Sequence, residues 1–240
     1  MVAALKAVRP QPLLEPPPAV VGWGRLRPEE ERVVRESLKV MYPFTFDNLR
    51  LHYFMHKLGV GEPLSEEDRR TTEFELDDKR AEGNGWRMAE MHEMMREVGI
   101  GKPLTEEDRR LMADAKKQYS DGSNMWGHVK TGMLMRSLGL SQSVEDSERG
   151  FTLKLIDEAR KTRDGHGLSR ALHASYDVGL NSPPTEADLG VIGGAIEAYM
   201  SSAIGLPIAE VRYHMGEIES AMRKMGGPAA PMPPLKRFSR

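Results

Sequence analysis

The chain of 240 residues has no cysteine. Disulfides, thiolate metal sites, iron–sulfur clusters and a cysteine nucleophile are thereby excluded. Aromatic residues make up only 6%, while 16 methionines offer adaptable packing instead. No apolar run reaches the ~18 residues needed to span a membrane. Charge of one sign is missing too: 34 basic against 36 acidic side chains leave a formal −2. The whole-molecule basic field of a strong nucleic-acid binder is absent.

Catalytic and cofactor signatures are missing as well. No G-x-G-x-x-G follows a strand, and there is no P-loop. "HYFMH" sets His52 and His56 four residues apart, but Tyr53 stands where a zinc protease carries its glutamate. "HEMMR" has that glutamate, Glu93, but Arg96 replaces the second histidine. These histidines read as structural or surface residues. "GVIGGAI" (190–196) reads as small residues for close helix packing, and "DGHG" (164–167) as a hairpin turn. No catalytic, cofactor-binding or metal residue is assigned, so the expectation is a protein that is not an enzyme and needs no cofactor.

What is present is a repeat. "GEPLSEEDRR" begins at Gly61 and "GKPLTEEDRR" at Gly101, a shift of 40 residues. Gly59, Gly99, Gly139 and Gly179 share one column at that shift. Another holds Met55, Met95, Met135, Ser175 and Met215, and a third Phe46, Trp86, Trp126, His166 and Leu206. Each unit reads as two helices. Ser65/Asp68, Thr105/Asp108 and Thr185/Asp188 have capping-box spacing at the start of helix A. Asn84, Asn124 and Asp164 can cap helix B, which stops at the glycine column. Acidic pairs such as Glu66/Glu67 suit the helix dipole rather than chemistry. The aromatic column reads as a filler between hairpins, with a base-stacking platform as the alternative.

The expected fold is all-α: about five tandem hairpins of period 40 forming a curved α-solenoid, with units at about 26–62, 63–102, 103–142, 143–182 and 183–225. The first unit is about two residues short in helix A, and the last loses the glycine column to Glu219. Such irregular ends are expected where terminal repeats lack a neighbour. Residues 1–25 form a Pro-rich arm with Lys6, Arg9 and Arg25 against Glu15. It reads as a docking arm or, being acid-poor, a targeting segment. The tail 226–240 is Pro-rich with a basic tip, Lys236, Arg237 and Arg240. Arg69, Arg109 and Arg149 recur once per unit near the start of helix A. Such a row can follow a phosphate backbone, or its members can simply pair with the acids just before them.

"MMREVGIGKPLTEEDRRLMADAKK" and "GLSRALHASYDVGL" resemble the pentatricopeptide repeat, loosely and over about 26–225. The period is longer than that family's, and its small-residue column is not kept: it reads Leu51, Met91, Thr131, Ala171 and Val211. No base-reading residue carries over. The resemblance implies a mitochondrial protein, with the cytoplasm as the alternative compartment. It also implies a non-catalytic scaffold subunit of an organellar ribonucleoprotein, such as a mitochondrial ribosome, with protein contacts and RNA as a further partner. The alternative is a protein–protein adaptor in a respiratory or other membrane-bound complex, without RNA.

Overall fold

Three of the hairpins open on a reciprocal Ser/Thr–Asp cap. In the computed structural model, which describes residues 22–40 and 46–226, the hydroxyls of Ser65, Thr105 and Thr185 accept from the backbone N–H of Asp68, Asp108 and Asp188. The three carboxylates in turn accept from the cap N–H at 3.0, 2.9 and 2.9 Å. Two donors that every helix start leaves orphaned are thus satisfied. In unit four the Glu145 N–H donates to Glu148 at 2.7 Å, and in unit one the Arg27 N–H donates to Glu30 at 2.9 Å. Glu30 therefore stands where Asp68 and Asp108 stand, once the two missing residues are counted.

The described residues form ten helices: α1 (Pro28–Val40), α2 (Phe46–Lys57), α3 (Glu66–Ala81), α4 (Gly85–Glu97), α5 (Glu106–Gln118), α6 (Met125–Ser137), α7 (Asp146–Thr162), α8 (Gly165–Asp177), α9 (Glu186–Ser201) and α10 (Gly205–Lys224). No strand occurs among them. Helices α4, α6 and α8 start directly after their caps Asn84, Asn124 and Asp164, as the spacing predicts. They end against Gly99, Gly139 and Gly179, whose φ values of 82°, 73° and 75° lie in the left-handed region where a side chain is strained. The last hairpin's second helix starts at Gly205, two residues before Pro207.

The hairpins do not form an open solenoid. Helix α2 packs on α4, α4 on α6, α6 on α8, α8 on α10, and α10 back on α2. These five parallel second helices make a closed inner ring. Outside it, α3, α5, α7 and α9 each bridge two inner neighbours, and α1 bridges α10 and α2 in the same way. The terminal units are therefore each other's neighbours. Their sequence irregularities belong to a seam rather than to two free ends.

The seam reuses the internal contacts. A Cβ on Gly85 would overlap the Leu111 carbonyl of the next unit's outer helix, and one on Gly165 would crowd the Val191 carbonyl. A Cβ on Gly205, the same column in unit five, would crowd Ser37 and Val34 of unit one. Glycine there lets the start of an inner helix press on the next outer helix. Ser37 Oγ also accepts from the Gly205 N–H at 2.9 Å. The segment before α1 adds a plug: Trp23, 1% exposed, joins the cluster of Leu172, Leu189, Ile192, Val211 and Met215. Gly24 lies against the backbone of Gly216 on α10.

The stretch 190–196 meets expectation in part: Gly193 is buried and Ala195 lies against Gly165 of the preceding inner helix. Gly190 and Gly194 have nothing within 4 Å of a built Cβ, so they face outward rather than permitting a close helix contact.

Candidate functional site: the axis of the ring

Five parallel helices in a ring turn one stripe each toward a common axis. The stripe's columns are Phe46/Trp86/Trp126/His166/Leu206, then Arg50/Glu90/Lys130/Arg170/Glu210, then Tyr53/Glu93/Met133/His173/Tyr213. The middle column is a ring of charges: plus, minus, plus, plus, minus. An odd number of positions cannot alternate, so one like-charged pair of neighbours, Lys130 and Arg170, is unavoidable.

The two carboxylates of this ring behave differently. Glu210 is clamped. Arg50 donates to it at 2.7 Å and Arg170 at 2.7 Å, with His166 at 3.2 Å and His214 at 3.5 Å. Burial works to raise its pKa, but the nearby rings of His166 and His214 and the charges of Arg50 and Arg170 hold it well below the usual carboxylate range. Glu90 is surrounded but not touched. Arg87 lies 3.7 Å away, Arg50 Nε 3.8 Å and Lys130 Nζ 3.8 Å, all beyond hydrogen-bond reach.

The next layer is a neutral polar network. The Tyr53 hydroxyl donates to that of Tyr213 at 3.3 Å. Burial, with Glu93 and Glu97 nearby, pushes the Tyr53 phenol well above its ordinary value. His173 and His214 meet Nδ1 to Nδ1 at 2.8 Å, so one ring must donate and the other accept. With His214 Nε2 turned to Glu210, His214 accepts and His173 donates. Burial depresses both histidines, His214 to about 4, so the pair is uncharged at neutral pH. Burial also raises the Glu93 carboxyl, against the pull of Lys130.

A second set of charges holds adjacent units together. Asp108 is fully buried between Arg80, at 2.8 Å, and His92 Nε2, at 3.3 Å. Burial tends to raise its pKa, but Arg80 and the Thr105 cap bring it down to about 2. Arg160 grips Asp188 at 3.0 and 2.8 Å. Arg136 grips Glu148 at 2.9 and 3.0 Å. Across the seam Arg212 grips Glu30 at 2.6 and 3.0 Å, with both side chains essentially inaccessible.

The residues singled out from sequence lie elsewhere. Arg69 and Arg109 are exposed near the starts of α3 and α5 on the outer layer, at the end of the ring opposite the starts of the inner helices. Among the described residues neither has an ion-pair partner, whereas Arg149 on α7 binds Asp146 at 2.9 Å and the Val178 carbonyl at 3.2 Å. Lys236, Arg237 and Arg240 lie outside the described residues, as do residues 1–21 of the N-terminal arm expected over 1–25, whereas its last residues belong to the folded body through the buried Trp23. In the aromatic column at the starts of the inner helices Phe46 is buried, while Trp86 and Trp126 are half-buried, Trp126 lying beside Leu155 and Ala159 of the next hairpin. His52 is half-buried and His56 exposed. The described residues contain no group of three or more metal-type ligands. The axial charges share the 40-residue period, but nothing in the sequence distinguishes them from a solvated helix face until five inner helices share one axis.

Comparison with protein-family models, with curated proteins and with solved structures gives no match. No helix among the described residues is long and apolar enough to cross a membrane.

Proposed function

We propose that this protein is a non-catalytic scaffold subunit of a larger assembly. The observation that supports this is how its inner surface is used. Open helical repeats bind partners on their concave face. Here that face is closed on itself, and much of its charge is spent on ion pairs between neighbouring helices. The surface left for partners is the outer layer, the rims and the Pro-rich arms. On that outer layer Arg69 and Arg109 are charged, exposed and unpaired among the described residues.

An organellar ribonucleoprotein is the setting that the pentatricopeptide-like phrasing of the hairpins favours. In that setting Arg69 and Arg109 contact RNA phosphates. The second reading, a protein–protein adaptor without RNA, is favoured by Arg149, which is tied to Asp146 and so interrupts the row. Co-purification from the native source, with identification of bound proteins and nucleic acid, tests the scaffold reading. Recovery of the chain alone, by mass, would contradict it. Arg69→Ala and Arg109→Ala, assayed in the recovered assembly, separate the two settings. Each lowers the salt slope of RNA retention by roughly 0.7–0.9 if it contacts a phosphate, and leaves it unchanged in the adaptor.

A further inference from the structure

The loose half of the axial charge ring is unexplained by anything that holds the fold together. Glu90 is 6% exposed, yet its Oε2 accepts no hydrogen bond. Arg50 Nε, beside it, is buried and donates none. Lys130 Nζ meets no acceptor among the described residues within hydrogen-bond distance, its nearest being Glu90 at 3.8 Å. Arg87 closes the set at 3.7 Å. Short reach is not the cause, since the same Arg50 extends to Glu210 at 2.7 Å.

We propose that the axial mouth around Glu90 binds a small phosphate-class oxyanion that still carries a proton. Arg50 is shared with Glu210 and Asp47, so Arg87 and Lys130 set two further cations against the one carboxylate of Glu90 and leave a positive excess there. It sits at the mouth where the inner helices begin, and their N-terminal dipole ends add to that potential. The guest must do two things at once. It must accept from Arg50, Arg87 and Lys130, and it must donate to Glu90. Hydrogen phosphate or a phosphomonoester monoanion does both, whereas sulfate at neutral pH has no proton to give.

Access follows the same axis. Side-chain exposure falls from 33% at Arg87 to 18% at Lys130, 15% at Arg50 and 8% at Glu90, so solvent reaches the set from the mouth inward. Arg87 is held over the rings of Phe46 and Trp86, at 4.1 and 4.4 Å. This site is independent of the scaffold reading, for it uses none of the outer surface.

The test is calorimetric titration of the full chain with inorganic phosphate and, separately, with sulfate. One phosphate site is expected, with sulfate at least about tenfold weaker, the scale of a lost charge-assisted hydrogen bond. Lys130→Met weakens phosphate binding by about tenfold or more. Arg87→Gln, at the exposed rim, weakens it in a variant that folds whatever Lys130→Met does. Glu90→Gln narrows the preference over sulfate, because the amide donates where the carboxylate could only accept. Phenyl phosphate, titrated below its second pKa of about 6 so that it keeps its proton, identifies an organic monoester as the natural form if it binds more tightly than phosphate, and free phosphate if it binds equally or more weakly. Absence of saturable phosphate heat overturns the proposal. So does equal affinity for phosphate and sulfate in the wild type, or affinity unchanged by Arg87→Gln.

Discussion

The junction between units four and five and the seam between units five and one do the same job with different parts. Both must neutralise a buried acid at the third position of an outer helix, Asp188 in one and Glu30 in the other. At the internal junction Arg160, from the end of the preceding outer helix, supplies the cation, and the inner-helix column is the apolar Leu172. At the seam that outer position is Met200, and the cation comes from the inner-helix column, as Arg212. The junction between units three and four follows the same logic. Ser120 replaces the outer arginine, and Arg136 on the inner helix reaches Glu148. Each of these acids receives an arginine from one layer or the other. The seam, which no peptide bond connects, depends on Arg212, with Arg27 at 4.0 Å as the one other cation near Glu30 among the described residues.

Breaking that pair is therefore expected to have the largest effect. Arg212→Met leaves the buried Glu30 with only the distant Arg27 side chain and is expected to cost about 3–5 kcal/mol in a denaturation midpoint, with partial recovery in the Arg212→Met, Glu30→Met double variant. The internal counterpart His92→Leu leaves Asp108 bound by Arg80, and Leu already occupies that column at position 172, so it is expected to cost only about 1–2 kcal/mol. Equal costs would erase the distinction between seam and junction.

The two tryptophans sharpen it. Trp23 is sealed in the seam, and Trp23→Ala should cost about 3–5 kcal/mol. Trp126 is half-buried and lines a cavity of about 310 Å³ together with Leu155 and Arg170. Trp126→Ala should then cost about 1–2 kcal/mol, and the fluorescence of Trp126, unlike that of Trp23, should be quenched by a soluble quencher.

The hairpins were legible because their signals are local. A cap, an acid three residues on, an apolar stripe and a terminal glycine lie within one unit, and the 40-residue shift multiplied them. Closure was not legible, because it is a statement about residues 182 apart, Glu30 and Arg212. The two-residue deletion in helix A also takes Glu30 out of the column of Asp68 and Asp108. The axial column Arg50, Glu90, Lys130, Arg170 and Glu210 keeps perfect register. Yet it gains meaning only once five helices share an axis; in an open stack the same residues would be a solvated face.

Acid should act on the axis before it acts on the junctions. His214, lowered from 6.5 to about 4, is neutral in the fold but takes up a proton when unfolded. The unfolded chain thus binds more protons, and stability falls as pH drops from about 6.5 toward 4. Asp108, lowered from 3.8 to about 2, keeps its full contribution above 3.8 and loses it only below. Denaturation midpoints of His214→Met should be flatter than wild type between pH 6.5 and 4 and parallel below it. An unchanged slope would show that His214 carries its proton in the fold.

Ring closure itself is tested most directly by the distance between the first and last hairpins. The chain has no cysteine, so Glu36→Cys on α1 and Ser220→Cys on α10, both exposed, give two unique spin labels. Packed helices are spaced by 8–10 Å, so an open stack of five hairpins would hold the labels about 40 Å apart. The closed ring predicts one narrow distribution at roughly 20 Å or less, unchanged on dilution, because α1 packs directly on α10. A broad distribution near about 40 Å, or a short distance that vanishes on dilution, would contradict closure within one chain.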